Sequence, residues 1–127
     1  MKPEILVVDD DMPLLRVLAL HFETEGYRVG LASGGREALA QVRLRRPGLV
    51  ILDAMMPIMS GVEVCRQLRA MDGGGDLKIV MLTANSQVVA AAREAGADGF
   101  VTKPFSLQGL SAEVRRLSSE ATAAGTD

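Results

Sequence analysis

Five short apolar runs, each followed by an amphipathic stretch, constrain the fold of this chain more than any other feature. The runs are Ile5–Val8, Arg28–Ala32, Leu49–Leu52, Ile79–Leu82 and Gly99–Thr102. Each has the length of a strand, and the most apolar of them are typical of parallel strands buried on both faces. Between the runs, apolar residues recur at helical spacing, as in Leu15, Leu18 and Phe22.

This alternation predicts the topology of the domain. Short connections between strands and helices imply right-handed crossovers, which place helices on both faces of one parallel sheet. The predicted fold is an α/β open sandwich of five strand–helix units that occupies residues 1–120. The segment "SSEATAAGTD" at 118–127 is small and polar, and we expect residues 121–127 to form a disordered tail or the start of a linker.

Composition excludes several classes of protein. The 127 residues, of which 48% are hydrophobic, suit one domain, and a net charge of −2 disfavours direct binding to nucleic acid. One cysteine and one histidine cannot form an internal disulfide or a zinc site with the usual number of ligands. The amino terminus lacks a signal-sequence pattern, and no apolar run has membrane-spanning length, so we expect a cytoplasmic protein.

Two glycine-rich segments match no phosphate-binding loop. "SGG" at 33–35 and "GGG" at 73–75 fit neither of the common glycine-rich phosphate motifs. We expect both to be flexible connections.

Polar residues follow four of the five predicted strands. Asp9 and Asp10 follow the first strand, Asp53 the third, Thr83 the fourth and Lys103 the fifth. The carboxyl ends of parallel strands meet at one rim, where ligands bind in open α/β sheets. The sequence therefore predicts a polar crevice at this rim.

Most of these residues also have a structural explanation. The acids at 9–11 could form a solvated turn in which Asp11 caps the first helix, and Lys103 or Thr83 alone could be a surface cation or a strand-end residue. Asp53 differs, because a carboxylate that ends an apolar strand near two further acids suffers repulsion and desolvation. A positive charge is therefore expected beside it.

A phosphoryl-transfer site satisfies this requirement. Lys103 supplies one charge, and Mg²⁺ held by Asp9, Asp10 and Asp53 supplies the rest, since Mg²⁺ accepts carboxylates and phosphate oxygens. A free oxygen of Asp53 could attack phosphorus to form an aspartyl phosphate. Lys103 and the Thr83 hydroxyl would then contact the phosphoryl oxygens.

Four segments in order give the chain a resemblance to a known family. "VVDDD", "DAMMPIMSG", "MLTA" and "GADGFVTKPF" are similar to the motifs of the receiver domain of two-component response regulators. The resemblance covers nearly the whole chain. It implies a flavodoxin-like fold whose parallel strands have the order 2-1-3-4-5.

The resemblance also implies a role for each site residue. Asp53 is the expected phosphoacceptor, Asp10 a direct ligand of Mg²⁺, Asp9 a ligand mainly through water, and the backbone carbonyl of Met55 a further ligand. Thr83 and Lys103 are expected to contact the phosphoryl group.

The resemblance further predicts how the signal leaves the site. Phe100 occupies the aromatic position that responds to the state of Thr83, and the bond between Lys103 and Pro104 is expected to be cis. The expected donor is a phosphohistidine of a sensor histidine kinase or histidine phosphotransfer protein. His21 is not that donor, because it lies in a helix without a matching motif. We expect it to be a surface or boundary residue whose ring nitrogens have hydrogen-bond partners.

The expected output surface combines the fourth helix, the fifth strand and the fifth helix, where an output domain or partner protein would bind. Receivers that drive winged-helix DNA-binding domains usually dimerise there through paired charges, including a second acid in "GADD". This chain has Gly99 at that position, and Gly109 and Glu113 where those receivers have an E-L-x-A-R run. The expected charge pattern is therefore missing.

Two alternatives remain. "VVDDDM" also resembles the D-x-D opening of haloacid-dehalogenase-like phosphatases, in which Asp9 would be the nucleophile and Asp11 the acid/base; the further acids of that family are missing from "LTANSQ". A degenerate receiver that acts only as a constitutive docking module is the second alternative. We expect a signalling phosphoacceptor that catalyses only its own phosphorylation and dephosphorylation.

Overall fold

The computed structural model describes residues 2–126, and side chains are described for residues 2–119. The strands are β1 (Glu4–Val8), β2 (Arg28–Ala32), β3 (Leu49–Asp53), β4 (Lys78–Thr83) and β5 (Gly99–Thr102). The α-helices are α1 (Met12–Thr24), α2 (Gly35–Leu44), α3 (Gly61–Ala70), α4 (Ser86–Ala95) and α5 (Leu107–Thr126). The expected tail at 121–127 lies outside the residues whose side chains are described, so it stays a prediction.

The strands form one parallel sheet in the order β2-β1-β3-β4-β5. This order confirms the predicted flavodoxin-like fold. The direction of winding switches at β1, which has β2 on one side and β3 on the other. The crevice between the carboxyl ends of β1 and β3 is therefore the expected place for a ligand.

Two apolar cores cover the two faces of the sheet. Along β1, Ile5 and Val7 point to the core that α1 and α5 complete, while Leu6 and Val8 point to the core beneath α2, α3 and α4. This alternation is the period-two geometry of a strand buried on both sides. None of the helices in the described range combines the length and hydropathy that a membrane crossing requires.

Two strands extend one residue beyond their predicted carboxyl ends. The parallel pairing continues to Asp53, which lies opposite Leu82, and to Thr83, which lies opposite Thr102. Both site residues therefore belong to the sheet ladder and take their positions from it, which restricts their backbone more than a loop would.

Capping side chains begin two of the helices, and one of them, Asp11, is the cap that the sequence predicts. A carboxylate oxygen of Asp11 accepts a hydrogen bond from the backbone N–H of Leu14 at 3.1 Å, so Asp11 caps α1. The Ser60 hydroxyl accepts from the backbone N–H of Glu63 at 3.2 Å and caps α3. Both caps satisfy backbone donors that have no partner within the helix.

The two glycine-rich segments contain parts of regular elements, while their flexibility stays a prediction. Gly35 begins α2, and a 3₁₀ turn occupies Gly74–Asp76. A β-carbon on Gly74 would lie 1.9 Å from the backbone carbonyl oxygen of Leu68. This glycine lets the chain after α3 pass closely over the end of the helix.

Arg69 on α3 joins the connections that precede β4 and β5 at the amino-terminal end of the sheet. Its guanidinium donates to the backbone carbonyls of Gly74 and Leu77 at 2.6 and 2.7 Å, and to that of Gly96 at 2.7 and 3.0 Å. It also pairs with the Asp98 carboxylate at 2.7 Å. The planar guanidinium can reach several acceptors at once, which a lysine cannot do.

His21 has partners at the boundary between α1 and α5. Its Nε2 lies 2.6 Å from the Ser111 hydroxyl oxygen, and that hydroxyl donates to the Glu25 carboxylate at 3.0 Å. His21 therefore contributes to the contact between the two helices. This agrees with the prediction that it is a boundary residue with hydrogen-bond partners.

We predict that Arg69→Gln destabilises the fold by about 2–4 kcal/mol, because it leaves partly buried carbonyls and the Asp98 carboxylate without their donor. Urea unfolding measures the loss. The control is Arg66→Gln, which removes an exposed arginine paired with Glu63 at 3.4 Å and should cost less than about 0.5 kcal/mol. Equal effects of the two substitutions would contradict this role of Arg69.

Candidate functional site

Four strands deliver the predicted polar residues to one rim. Asp9 follows β1, Asp53 ends β3, Thr83 ends β4 and Lys103 follows β5. Backbone hydrogen bonds continue the sheet at this rim, including Lys103 N–H to the Thr83 carbonyl at 2.9 Å. The bond between Lys103 and Pro104 is cis, the geometry that the resemblance implies.

A lysine and three carboxylates meet in the crevice. The Lys103 Nζ lies 3.2 Å from the Asp53 Oδ1 and 3.6 Å from the Asp9 Oδ2. Asp9, Asp10 and Asp53 each bring a carboxylate oxygen within 4.8 Å of the others. Asp9 and Asp53 are 1% and 4% exposed, whereas Asp10 is open to solvent. Two of the three acids are therefore shielded from water.

The two carboxylate oxygens of Asp9 differ in their hydrogen bonding. The Oδ1 accepts the backbone N–H of Asp11 at 3.0 Å. The buried Oδ2 accepts no hydrogen bond from any residue that the structure describes. A buried polar oxygen without a donor is costly unless a cation or water satisfies it.

Burial and charge shift the titration of two groups. Burial is the largest effect on Asp9 and raises its pKa to about 6; the Asp11 N–H opposes this, and the Asp53 charge adds to it. Burial alone would lower the pKa of Lys103, but the hydrogen bond and charge of Asp53 and the charge of Asp9 together raise it. Lys103 is therefore a cation at neutral pH.

The donor set fits a small divalent cation. Asp9, Asp10 and Asp53 offer hard carboxylate oxygens, and one of these oxygens is buried without a hydrogen bond. Mg²⁺ favours such oxygens and retains water on its open side, where Asp10 is exposed. Met55 donates its backbone N–H to the Asp53 Oδ1 at 3.3 Å, while the role of its carbonyl stays a prediction.

Thr83 is linked to α4 through a residue that the sequence analysis missed. The buried Thr83 hydroxyl donates to the Asn85 carbonyl at 3.0 Å and accepts the Asn85 N–H at 3.1 Å. The Asn85 side chain in turn accepts from the Gln87 N–H at 2.8 Å and caps α4. An asparagine before the apolar stripe at 88–92 is a helix-start signal that could have revealed it.

Gly61 is a second residue whose role was missed. It follows the capping Ser60, and a β-carbon there would lie 2.1 Å from the backbone carbonyl oxygen of Asp53. The loop after β3 therefore returns directly over Asp53, which only glycine permits. The sequence motif contains this glycine but gives no sign of the close approach.

Phe100 lies on β5, away from the acids. It is half-buried, lies opposite Met81 in the sheet and packs against the core beneath α2, α3 and α4. The structure thus brings Asp9, Asp10, Asp53 and Lys103 into one charged group, while Phe100 packs against the core.

Comparison with known proteins identifies the family. The family model of the response regulator receiver domain matches residues 5–115. The chain therefore belongs to the receiver domain family of two-component response regulators.

A curated relative supports this assignment. The chain is 47% identical over 119 residues to the response regulator MprA of Mycolicibacterium vanbaalenii, a match that covers 92% of this chain and 51% of the relative. The chain therefore spans about half the length of this relative.

Solved structures share the fold. The chemotaxis protein CheY4 of Vibrio cholerae has a TM-score of 0.86 at 30% identity, and the match covers 91% of this chain and 98% of that one. The receiver domain of a signal transduction histidine kinase from Syntrophus aciditrophicus has a TM-score of 0.85 at 35% identity, over 93% of this chain and 91% of that one.

We predict that Asp9→Asn stabilises the metal-free protein at pH 7.5 more than at pH 4.5. The pKa of Asp9 rises from its ordinary value of 3.8 to about 6 on folding, so stability falls as pH rises between these values and the carboxyl ionises. Replacing it should add about 1–3 kcal/mol at pH 7.5. Urea unfolding in EDTA, with the wild type as reference at both pH values, measures the gain. An equal gain at both would contradict the prediction.

Proposed function

We propose that Asp53 accepts a phosphoryl group and that this domain passes the change to an output surface. The observation that supports this most strongly is the position of Asp53. It ends a central strand, lies 3.2 Å from the Lys103 ammonium and shares a site with two further carboxylates. A carboxylate beside a fixed cation in a shielded crevice suits attack on phosphorus.

The reaction transfers a phosphoryl group from nitrogen to oxygen. A carboxylate oxygen of Asp53 forms a bond to phosphorus as the bond between phosphorus and the donor imidazole nitrogen breaks, and the imidazole retains the electron pair. The donor is a phosphohistidine of a sensor histidine kinase or histidine phosphotransfer protein. Hydrolysis of the aspartyl phosphate returns the free carboxylate and inorganic phosphate.

Lys103 and Thr83 act on the transferred group. The ammonium of Lys103 pairs with Asp53 before transfer and with a phosphoryl oxygen afterwards. The Thr83 hydroxyl leaves Asn85 and donates to another phosphoryl oxygen. Bound Mg²⁺, held by Asp10, Asp53 and the Met55 carbonyl, with Asp9 acting mainly through water, would supply positive charge to neutralise the phosphoryl group.

The domain is proposed to be a signalling module and not an enzyme with a separate substrate. It catalyses only its own phosphorylation and dephosphorylation. It acts in the cytoplasm, without direct contact to nucleic acid or membrane. Its partners are a phosphodonor protein and an output domain or separate effector, and the greater length of the MprA relative is consistent with an attached domain.

The geometry disfavours the phosphatase alternative. In that mechanism Asp11 is the acid/base, but its carboxylate caps α1 by accepting the Leu14 N–H at 3.1 Å. Asp9, the alternative nucleophile, lies 3.6 Å from the Lys103 Nζ, whereas Asp53 lies 3.2 Å from it. Asp53 has the closer contact with Lys103.

We predict that acetyl phosphate with Mg²⁺ modifies Asp53. Mass spectrometry after reduction of the acyl phosphate with borohydride locates the residue. Asp53→Asn should abolish the modification, while Asp76→Asn, a change in the distant 3₁₀ turn, should retain it. Modification of Asp9 would support the phosphatase, and no magnesium-dependent modification would support the docking module; either result would overturn the proposal.

The output surface is proposed to be the face formed by α4, β5 and α5. One charge on this face is paired within the chain, because the Glu113 carboxylate accepts from Arg116 at 2.8 and 3.1 Å. The hydrogen bond from Arg116 is the largest effect that lowers the pKa of Glu113. A β-carbon on Gly99 would lie 2.5 Å from this carboxylate, so the missing side chain makes room for Glu113.

This pairing leads us to predict that the activated domain stays monomeric. The charge pattern that would join two copies is missing at Gly99 and Gly109, and Glu113 is engaged by Arg116, so a partner protein or attached domain would bind the face instead. Light scattering of the domain with Mg²⁺ and beryllofluoride should give the mass of one chain, with altered NMR signals around Phe100. A stable dimer through α4 and α5 would refute the prediction.

A further inference from the structure

An arginine of α4 covers the ring of Phe100. The guanidinium carbon of Arg93 lies 5.2 Å from the centroid of the Phe100 ring, within the range of an attractive cation–π contact. Arg93 is solvent-exposed and lies in the last turn of α4, whereas Phe100 is half-buried on β5. The contact therefore joins the outer side of the ring to the carboxyl end of the helix.

The other end of α4 holds Thr83. Asn85, which caps α4, uses its backbone carbonyl to accept a hydrogen bond from the Thr83 hydroxyl and its backbone N–H to donate one back to it. One helix thus contacts both proposed switch residues, Thr83 at its start and Phe100 near its end. A change in either contact can alter the position of the helix and so affect the other.

Phe100 has no hydroxyl group, so its position depends on the contacts of its ring. One side of the ring packs against the core beneath α2, α3 and α4, and Arg93 covers it from outside. Movement of the ring inward, toward space released by Thr83, separates it from the guanidinium. The cation–π contact therefore favours the outer position.

We infer that Arg93 is a positioning residue that holds Phe100 in its outer position and so opposes activation of the domain. This inference rests on the proposed function, to which it adds that Phe100 moves inward when Thr83 leaves Asn85 to contact the phosphoryl group. Arg93 touches neither the acids nor the phosphoryl group and acts through the aromatic ring. Its effect on activation should be about two- to fivefold, the range expected of an exposed cation–π contact.

The first experiment observes the ring in the unphosphorylated protein. The chain has three phenylalanines, so 4-fluorophenylalanine labelling gives three ¹⁹F signals, and Phe100→Leu assigns one of them. Arg93→Gln should shift the Phe100 signal, and Arg93→Lys, which keeps a cation, should shift it less. Arg66→Gln, which removes an exposed arginine of α3, should leave it unchanged.

The second experiment measures activation. Beryllofluoride is titrated at constant Mg²⁺, and saturation is followed by the NMR signals of the crevice. Arg93→Gln should lower the half-saturating concentration two- to fivefold, Arg93→Lys should restore most of the wild-type value, and Arg66→Gln should have no effect. In the Phe100→Leu background, Arg93→Gln should also have no effect, because the ring is gone.

These outcomes separate the inference from the proposed function. If wild type does not bind beryllofluoride, the proposed function fails, and the ¹⁹F shift still tests the contact between Arg93 and Phe100. An unchanged Phe100 signal in Arg93→Gln would overturn the inference. So would a shift in half-saturation that persists in the Phe100→Leu background, since that effect would arise from the charge at the end of α4 and not from the ring.

Discussion

The charge imbalance in the crevice is the constraint on which the rest of the structure depends. Three carboxylates share a small space with one ammonium, and two of the three are almost fully buried. Burial raises the pKa of Asp9 to about 6, which shows that the fold works against the charged form. Sites with perturbed pKa values of this kind are characteristic of function. A bound cation would balance the excess negative charge of the carboxylates. The ammonium of Lys103 would pair with a phosphoryl group.

The parallel sheet makes this imbalance tolerable. Two cores of aliphatic side chains cover both faces of the strands, and their burial stabilises the domain enough to fix unfavourable charges at the strand ends. Asp53 and Thr83 take their positions from the sheet ladder, and Gly61 lets the following loop pass directly over Asp53. The backbone of the sheet and of the following loop therefore holds the acids in place. Their own interactions do not have to position them.

Much of the fold and site could be predicted because the signals are local. The apolar runs predict the strands. The polar residues at the ends of these strands predict Asp9, Asp53 and Lys103 as site residues. Other features depend on residues far apart in the chain: Arg69 binds carbonyls of the two connections that precede β4 and β5, and no local pattern reveals that convergence. Gly74 is a second example, because the close approach of its backbone to the Leu68 carbonyl depends on how the chain returns over the end of α3.

The central claim, that the acids form a cation site needing Asp53, is tested most directly by magnesium-dependent stability. The free energy of unfolding at pH 7.5 is measured by urea as Mg²⁺ increases, for the wild type and Asp53→Ala. The wild type should gain stability over millimolar concentrations, as expected of a ligand that binds only the folded state. Asp53→Ala should be more stable without metal, since repulsion is relieved, and should gain little from Mg²⁺. An equal gain in both proteins would contradict the account.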